Sequence, residues 1–155
     1  MVQSAKILRA LVASLALAMA AGCAEQASPP PRTGAATDPD LAGAWYQVYF
    51  DTNSVAINAR GRMIVDNVAF VVANNAATRV TVIGKTDRVG APPANWALAQ
   101  RRAEAIRDAL VTAGVPAARI DTSWTGEGKP EVATADDAAE PRNRVVDITV
   151  VKHSR

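Results

Sequence analysis

One segment of this chain constrains its fold more than any other, because it changes from strand periodicity to helix periodicity within a few residues. Residues 79–84 (RVTVIG) alternate in the way a half-buried strand does. A turn containing Asp87 and Gly90 follows, and apolar side chains then recur at helical spacing from Pro93 to just before Gly114. The segment predicts one strand and one amphipathic helix joined by a short polar turn.

Three further strands and one further helix are predicted around this unit. The strands fall at residues 45–50, 119–124 and 144–151, and a helix at 58–74 has Asn58 as its N-cap. The order βαβαββ predicts an α/β sandwich, in which a mixed four-stranded sheet carries both helices on one face. The predicted core stripes are Ile64, Val68, Val71 and Val72 in the first helix, and Ala99, Ala103, Ile106 and Leu110 in the second.

The N-terminus is typical of a bacterial export signal. Lys6 and Arg9 precede an apolar stretch at residues 11–21 that is too short to span a bilayer comfortably. The only cysteine, Cys23, directly follows three small residues, and this resembles the lipobox at which a signal peptidase cuts before an acylated cysteine. The alternative is an ordinary secretory signal cut near Ala21, with Cys23 as an incidental thiol.

These features predict three regions with different roles. Residues 1–22 form a lipoprotein signal peptide, residues 23–44 a lipid anchor and Pro-rich flexible tether, and residues 45–155 the folded domain. Removal of Lys6 and Arg9 with the signal leaves equal numbers of basic and acidic residues, since the whole chain has a net charge of only +2. A nucleic-acid partner is therefore not expected.

The chemistry of the turn and second helix centres on a carboxylate and a guanidinium. Asn95 and Arg102 are seven residues apart, so they lie two turns apart on nearly one face of the helix. Asp87 and Arg102 suit a small zwitterion, because a carboxylate pairs with an ammonium and a guanidinium binds a carboxylate bidentately. The alternative is that Asp87 serves the turn or pairs with Arg102. Arg101, its neighbour, is expected to face solvent.

This segment resembles the signature of the OmpA-like domain of peptidoglycan-associated lipoproteins, and the resemblance extends over about residues 45–151. The family's fold is of the predicted kind. The resemblance implies that Asp87 and Arg102 grip the zwitterionic end of diaminopimelate in peptidoglycan stem peptides, supported by Asn95, Asn53, Arg144 and Thr86. The matching residues are Thr86, Asp87, Gly90, Asn95, Leu98, Arg102 and Ala103.

The sequence departs from the family pattern at three positions. Lys85 replaces a His, Ala94 replaces an aromatic residue, and Val145 replaces the second Arg of an Asn-Arg-Arg motif. A cation at Lys85 is expected to disfavour an ammonium ligand. Alanine at Asp87 or Arg102 is expected to abolish wall binding and to leave the fold intact.

The resemblance implies a lipoprotein that is anchored through Cys23 to the outer membrane, faces the periplasm and links that membrane to peptidoglycan. The alternative is a periplasmic interaction module of a Tol-Pal-like or secretion-system complex; a stability factor that no longer binds the wall is a third possibility. Neither a metal-ligand set nor a catalytic triad is visible in the sequence, so we expect a binding protein without a cofactor rather than an enzyme.

Overall fold

The computed structural model describes residues 43–152, so the predicted signal peptide, Cys23 and nearly all of the predicted tether lie outside the described residues. Each element forms where an apolar pattern of matching period occurs. The strands are β1 (Ala44–Tyr49), β2 (Thr78–Lys85), β3 (Ile120–Gly126) and β4 (Val145–Lys152); the helices are α1 (Ala59–Asn74) and α2 (Pro92–Thr112), and two short 3-10 turns occupy Ala117–Arg119 and Pro141–Asn143.

The four strands form one mixed sheet in the order β1-β4-β2-β3. β4 lies antiparallel to both β1 and β2, whereas β2 and β3 are parallel and are joined through α2. Parallel neighbours need a crossover connection of this kind, because a tight hairpin only joins antiparallel strands. The predicted fold class is confirmed.

Both helices bury their apolar stripes against this sheet. The four predicted positions of α2, Ala99 to Leu110, are fully buried. In α1, Val68, Val71 and Val72 are buried as predicted, but Ile64 is only partly buried and Val65 enters the core in its place. The sheet meets these helices with alternate side chains of β2 and β4, among them Val80, Val82, Val146, Ile148 and Val150.

The helix boundaries follow from local chemistry. Asn58 caps α1 as predicted, since its Oδ1 accepts a hydrogen bond of 2.8 Å from the backbone N–H of Gly61. α2 begins at Pro92, one residue before the predicted start, and Gly114 with φ +99° follows its C-terminal end. β3 and β4 each start one residue later than predicted, because Arg119 ends one 3-10 turn and Arg144 directly follows the other.

A glycine in β2 sets how closely α2 lies on the sheet. A Cβ atom placed on Gly84 would lie 2.1 Å from the carbonyl oxygen of Ala99 and 3.2 Å from the Cβ of Ala103. Only glycine allows the helix backbone to come this near. The close approach brings the first turns of α2 beside the residues that follow β2, and this is where the predicted site residues lie.

Candidate functional site

A pocket of about 330 Å³ lies beyond the C-terminal end of β2. Three segments form its wall: the loop between β1 and α1, the turn between β2 and α2, and the first turns of α2. Ligands of open α/β sheets commonly bind at such a strand end. Its lining brings together three of the predicted residues, Asn53, Asp87 and Asn95, with Thr52, Val89, Gly90, Ala94, Leu98 and Arg101.

Asp87 supplies the pocket's carboxylate. The residue is 5% exposed, and its Oδ2 pairs with Nη1 of the predicted site residue Arg144 at 3.1 Å. Arg144 is itself fixed, because its Nε donates to the carbonyl of Phe50 at 3.2 Å. The second oxygen, Oδ1, accepts no hydrogen bond from residues 43–152. Asp87 therefore keeps one acceptor for a ligand while the other is held in place.

Arg102 does not line the pocket but lies beneath it, fully buried. Its Nε donates to the carbonyl of Ser54 at 2.9 Å, Nη2 to that of Asp51 at 2.9 Å, and Nη1 to that of Lys85 at 3.2 Å. The guanidinium carbon is also 5.2 Å from the centroid of the Phe50 ring, which is a cation–π distance.

The burial of Arg102 has an electrostatic effect. Loss of hydration lowers the pKa of this guanidinium to about 10; the nearby carboxylate of Asp87 opposes the shift and the charge of Arg144 adds to it. Arg102 is still a cation at neutral pH. The sequence predicted that the guanidinium of Arg102 contacts the ligand. In this structure its hydrogen bonds instead join the β1–α1 loop to the end of β2.

The two predicted asparagines are held in different ways. Asn95 is buried, and its Nδ2 donates to Oε2 of Glu127 at 2.6 Å, which joins α2 to the segment after β3. Asn53 is exposed at the pocket rim and has a φ of +50°. Asparagine tolerates this left-handed conformation better than most residues. The pocket therefore has one amide that is hydrogen-bonded to Glu127 and one, that of Asn53, that makes no hydrogen bond with residues 43–152.

Thr86 precedes Asp87 and is fully buried outside the pocket lining. Its backbone N–H donates to the carbonyl of Gly126 at 2.9 Å, so the main chain joins the turn to the end of β3. Its hydroxyl has no hydrogen-bond partner among the described residues. Thr86 was predicted to support the site, and the contact seen here, which fixes the turn, comes from its backbone.

The departures at Lys85 and Val145 lie away from the pocket lining. The Nζ of Lys85 pairs with Oδ2 of Asp147 at 2.7 Å and with Glu131. Burial alone would lower the pKa of Lys85, but the hydrogen bonds that its ammonium donates to these two carboxylates outweigh this effect and raise the pKa. Asp147 faces away from the helices, because its neighbours Val146 and Ile148 enter the core. The expected repulsion between Lys85 and an ammonium ligand is thus countered by two carboxylates.

Arg101 was expected to face solvent, and it is exposed, but it also lines the pocket. The signal for this was in the sequence, since Ala94, Leu98 and Arg101 follow one another at i, i+4 and i+7 along one row of α2. Asn95 and Arg102 belong to the adjacent row, whose side chains are buried; Asn95 still reaches the pocket lining, whereas Arg102 does not. The residue immediately before the predicted arginine is therefore the one on the pocket side.

Cavities also lie elsewhere in the described part of the chain. One of about 440 Å³ adjoins the pocket at Gly90 and is lined by Arg88, Glu127, Asp136 and Asp137 among others. Another, about 350 Å³, lies between α1 and α2. Within residues 43–152 there is no cluster of three or more potential His, Cys, Asp or Glu metal ligands, and neither α1 nor α2 has the length and apolar content needed to cross a bilayer.

Comparisons with known proteins agree with this architecture. The chain is 33% identical over 145 residues to the peptidoglycan-associated lipoprotein of Haemophilus influenzae. This alignment covers 90% of this chain and 95% of that protein. It is 36% identical over 103 residues to the probable lipoprotein YiaD of Escherichia coli, covering 66% of this chain and about half (47%) of that relative.

A solved structure with 31% sequence identity shares the fold. The crystal structure of the peptidoglycan-associated lipoprotein from Burkholderia pseudomallei superposes with a TM-score of 0.63 at 31% identity, over 67% of this chain and 88% of that one. The sequence profile of the OmpA family matches residues 49–144, which is more than half of the chain and includes every site residue described above. The chain therefore belongs to the OmpA family.

Proposed function

We propose that this protein binds peptidoglycan non-covalently, through the diaminopimelate residue of the stem peptides, in the pocket at the end of β2. The observation that carries the proposal is the carboxylate of Asp87, which lines the pocket with one oxygen held by Arg144 and the other without a partner among residues 43–152. An ammonium group is the natural ligand for such an oxygen. Related lipoproteins carry peptidoglycan association in their names.

The other predicted residues support this pocket in distinct roles. Asn53 and Asn95 line it and offer amide groups that match the polar groups of a peptide. Arg102 and Arg144 hold the β1–α1 loop and Asp87 through hydrogen bonds to backbone carbonyls and a carboxylate. Thr86 joins the turn to β3. As a member of the OmpA family the chain is a binding protein and not an enzyme.

The cellular setting is also a proposal. Acyl chains on Cys23 would anchor the protein in the outer membrane, and residues 24–44 would let the domain reach the cell wall from the periplasmic side of that membrane. Many anchored copies facing a polymer gain strength through effective concentration, so each site needs only modest affinity. Replacing Cys23 with serine should prevent acylation. The mass of the intact variant should then lack the acyl chains, and the variant should no longer be found in the membrane fraction.

A sacculus pull-down tests the binding function. The full-length protein should sediment with purified sacculi, and free meso-diaminopimelate should release it. Asp87→Asn keeps the size of the buried side chain but removes its charge, so we expect it to lose sedimentation. Asp121→Asn is the matched control, because Asp121 is an exposed carboxylate at the opposite end of β3.

Two outcomes would contradict the proposal. Sedimentation of the Asp87→Asn variant at the level of the unmodified protein would remove the pocket as the binding site. A folded protein that does not sediment with sacculi would move the function to a protein partner, as in a Tol-Pal-like or secretion-system complex. Circular dichroism and a thermal melt of each variant show whether it is folded before either conclusion is drawn.

A further inference from the structure

The sheet formed by residues 43–152 has two edge strands, β1 and β3, that differ in their chemistry. β3 carries Asp121, whose carboxylate pairs with Arg79 of the neighbouring strand. A charge of this kind protects an edge strand, because it opposes pairing with another chain. β1 (AWYQVY) contains neither a charged residue nor a proline, and its register with β4 runs without a shift. β1 is therefore the edge that is suited to accept a further strand.

The backbone groups of β1 face β4 and the free edge in turn. The N–H of Phe50, directly after β1, donates at 2.8 Å to the carbonyl that lies opposite it in the β1–β4 register. Alternate residues of an antiparallel ladder face the same neighbour, so the backbone groups of Trp45, Gln47 and Tyr49 face outward. Within residues 43–152, these outward groups take part in one hydrogen bond, which the Tyr49 carbonyl accepts from Nδ2 of Asn58 at 3.4 Å. The edge presents a row of donors and acceptors that another β-strand would satisfy.

The outward residues of β1 fit a second copy of the same strand. Trp45 and Tyr49 lie on the sheet face away from the helices and are 54% and 42% exposed, whereas Val48 enters the core. An antiparallel pairing centred on Gln47 sets Trp45 opposite Tyr49 of the other copy and puts all three outward residues in hydrogen-bonded pairs. Aromatic cross-strand pairs stabilise a sheet, and no like charges meet in this register. The pairing is self-complementary, as a two-fold symmetric contact requires.

The stretch of chain before Gly43 is a poorer partner for this edge. To pair with β1 it would have to fold back as a hairpin strand, and Asp38, Pro39 and Asp40 stand in that stretch. Aspartate and proline are depleted in strands, and proline has no N–H to donate. A second copy instead brings an uncharged strand with every donor in place.

We infer that two copies of this protein associate through the edges of β1, antiparallel and centred on Gln47, so that their sheets join into one. None of the three outward residues lines the pocket, and the inference does not rest on the proposed function. Pairing of two six-residue strands buries little surface, so we expect a weak dimer in solution. Copies held on one membrane would pair more readily, because anchoring raises their effective concentration.

Cysteine cross-linking tests the register. All variants are made in the full-length protein with Cys23→Ser, which removes the only native cysteine. Gln47→Cys should form a disulfide-linked dimer with copper phenanthroline as oxidant, since residues in a hydrogen-bonded pair have Cα atoms about 5.5 Å apart. Trp45→Cys and Tyr49→Cys should not cross-link alone, whereas a mixture of the two should. Ser123→Cys is the matched control, exposed at the middle of β3 on the other edge.

Sedimentation equilibrium tests the association without a cross-link. Gln47→Pro removes an outward N–H but no bond of the β1–β4 ladder, and Trp45→Lys places a charge on the edge. Each should raise the dissociation constant of the dimer at least about tenfold. Ser123→Lys places the same charge on the other edge and should leave the constant unchanged. Circular dichroism and a thermal melt show whether each variant is folded.

Each contrary outcome overturns a distinct part of the inference. Gln47→Cys that cross-links no faster than Ser123→Cys would show that β1 is not the contact. A mixture of Trp45→Cys and Tyr49→Cys that does not cross-link would exclude the register. A protein that stays monomeric at the highest concentration measured would exclude a second copy as the partner of this edge. Association that appears only after residues 28–42 are deleted would make the tether, and not a second copy, the occupant.

Discussion

Two buried layers of this domain differ in what holds them together. The apolar layer, between the helices and the sheet, contains Val68, Val82, Ile106, Leu110 and Ile148, all of them fully buried. The polar layer, at the C-terminal end of β2, contains Thr86, Asp87, Asn95 and Arg102, each at most 5% exposed. The first layer is stabilised by the removal of apolar area from water, which has no direction. The second depends on directed hydrogen bonds.

The comparison explains how the fold and the pocket are related. The apolar layer fixes which elements pack together, and many substitutions of similar volume are tolerated in such a layer. The polar layer connects segments far apart in sequence: Arg102 bonds to carbonyls 48 and 51 residues away, and Arg144 bonds to Asp87 57 residues away. The pocket therefore depends on a few side chains that cannot be exchanged without leaving buried polar groups unpaired.

The largest expected effect comes from breaking the polar layer at Arg102. Arg102→Ala should lower the free energy of unfolding by about 4 kcal/mol, because it leaves buried carbonyls unsatisfied and opens a cavity. Arg101→Ala, one residue away and exposed, should change it by less than about 0.5 kcal/mol. Urea unfolding of both variants measures this difference. Equal stabilities for the two would show that the buried contacts of Arg102 are not structural.

This expectation replaces the one made from the sequence, that Arg102→Ala leaves the fold intact. Arg102→Lys sharpens the test, since it keeps the charge but a single ammonium cannot reproduce a fork that reaches three carbonyls. We expect it to be intermediate in stability. A lysine variant as stable as the unmodified protein would mean that charge alone, and not the geometry of the guanidinium, holds the β1–α1 loop.

The next effect tests the apolar layer at Gly84. Gly84→Ala should destabilise the protein by about 2–3 kcal/mol, because its Cβ would lie 2.1 Å from the carbonyl oxygen of Ala99 and α2 would have to move. Gly90→Ala is the control for backbone strain alone: Gly90 has a φ of +90°, a Cβ added to it would meet no atom within 4 Å, and we expect a loss of about 1 kcal/mol. Equal losses in urea unfolding would contradict a tight helix–sheet approach.

A smaller effect is expected outside both layers, at the start of α1. Asn58→Ala should cost about 1 kcal/mol, since it removes the acceptor for the N–H of Gly61. Asn58→Asp keeps an acceptor and should restore most of the stability. Thermal melts of the two variants measure the difference. If both variants melt together below the unmodified protein, the contribution of Asn58 lies in its Nδ2 contact with the carbonyl of Tyr49 and not in the cap.

The smallest effect concerns an exposed ion pair next to the polar layer. Hydrogen bonds from the side chain and backbone of Arg142 lower the pKa of Glu140 to about 2. A depressed carboxyl pKa favours the folded state above the unfolded value near 4.5, and this is lost as pH falls toward 2. NMR titration should show Arg142→Gln raising the pKa of Glu140 only in part, because the backbone hydrogen bond remains. An unchanged pKa would exclude the side-chain contact in solution.

The sequence predicted the apolar layer well because its signal is local. Period-2 and period-3.6 patterns placed the four strands and two helices, and Asn58 was recognised as a cap from its position alone. The sequence predicted Ile64 in the core, but Val65 is the residue buried there. Both positions border the same helical stripe, and only packing against the sheet decides between them.

The polar layer was predicted in part. Motif residues Asn53, Asp87 and Asn95 do line one pocket. The hydrogen-bond partners of Arg102 could not be predicted from spacing. They are backbone carbonyls of distant segments, and a backbone carbonyl carries no residue-specific signal. The pairing of Asp87 with Arg144 depends likewise on where the start of β4 lies in the sheet.

The most direct test of a ligand pocket built on the polar layer is an NMR titration of the isotope-labelled full-length protein with meso-diaminopimelate. We expect the saturable amide shift changes to concentrate at the pocket, at Asn53, Asp87, Gly90, Asn95 and Arg101. Shift changes that concentrate instead in the cavity between α1 and α2, or the absence of any saturable change from a folded protein, would contradict a ligand pocket at the polar layer.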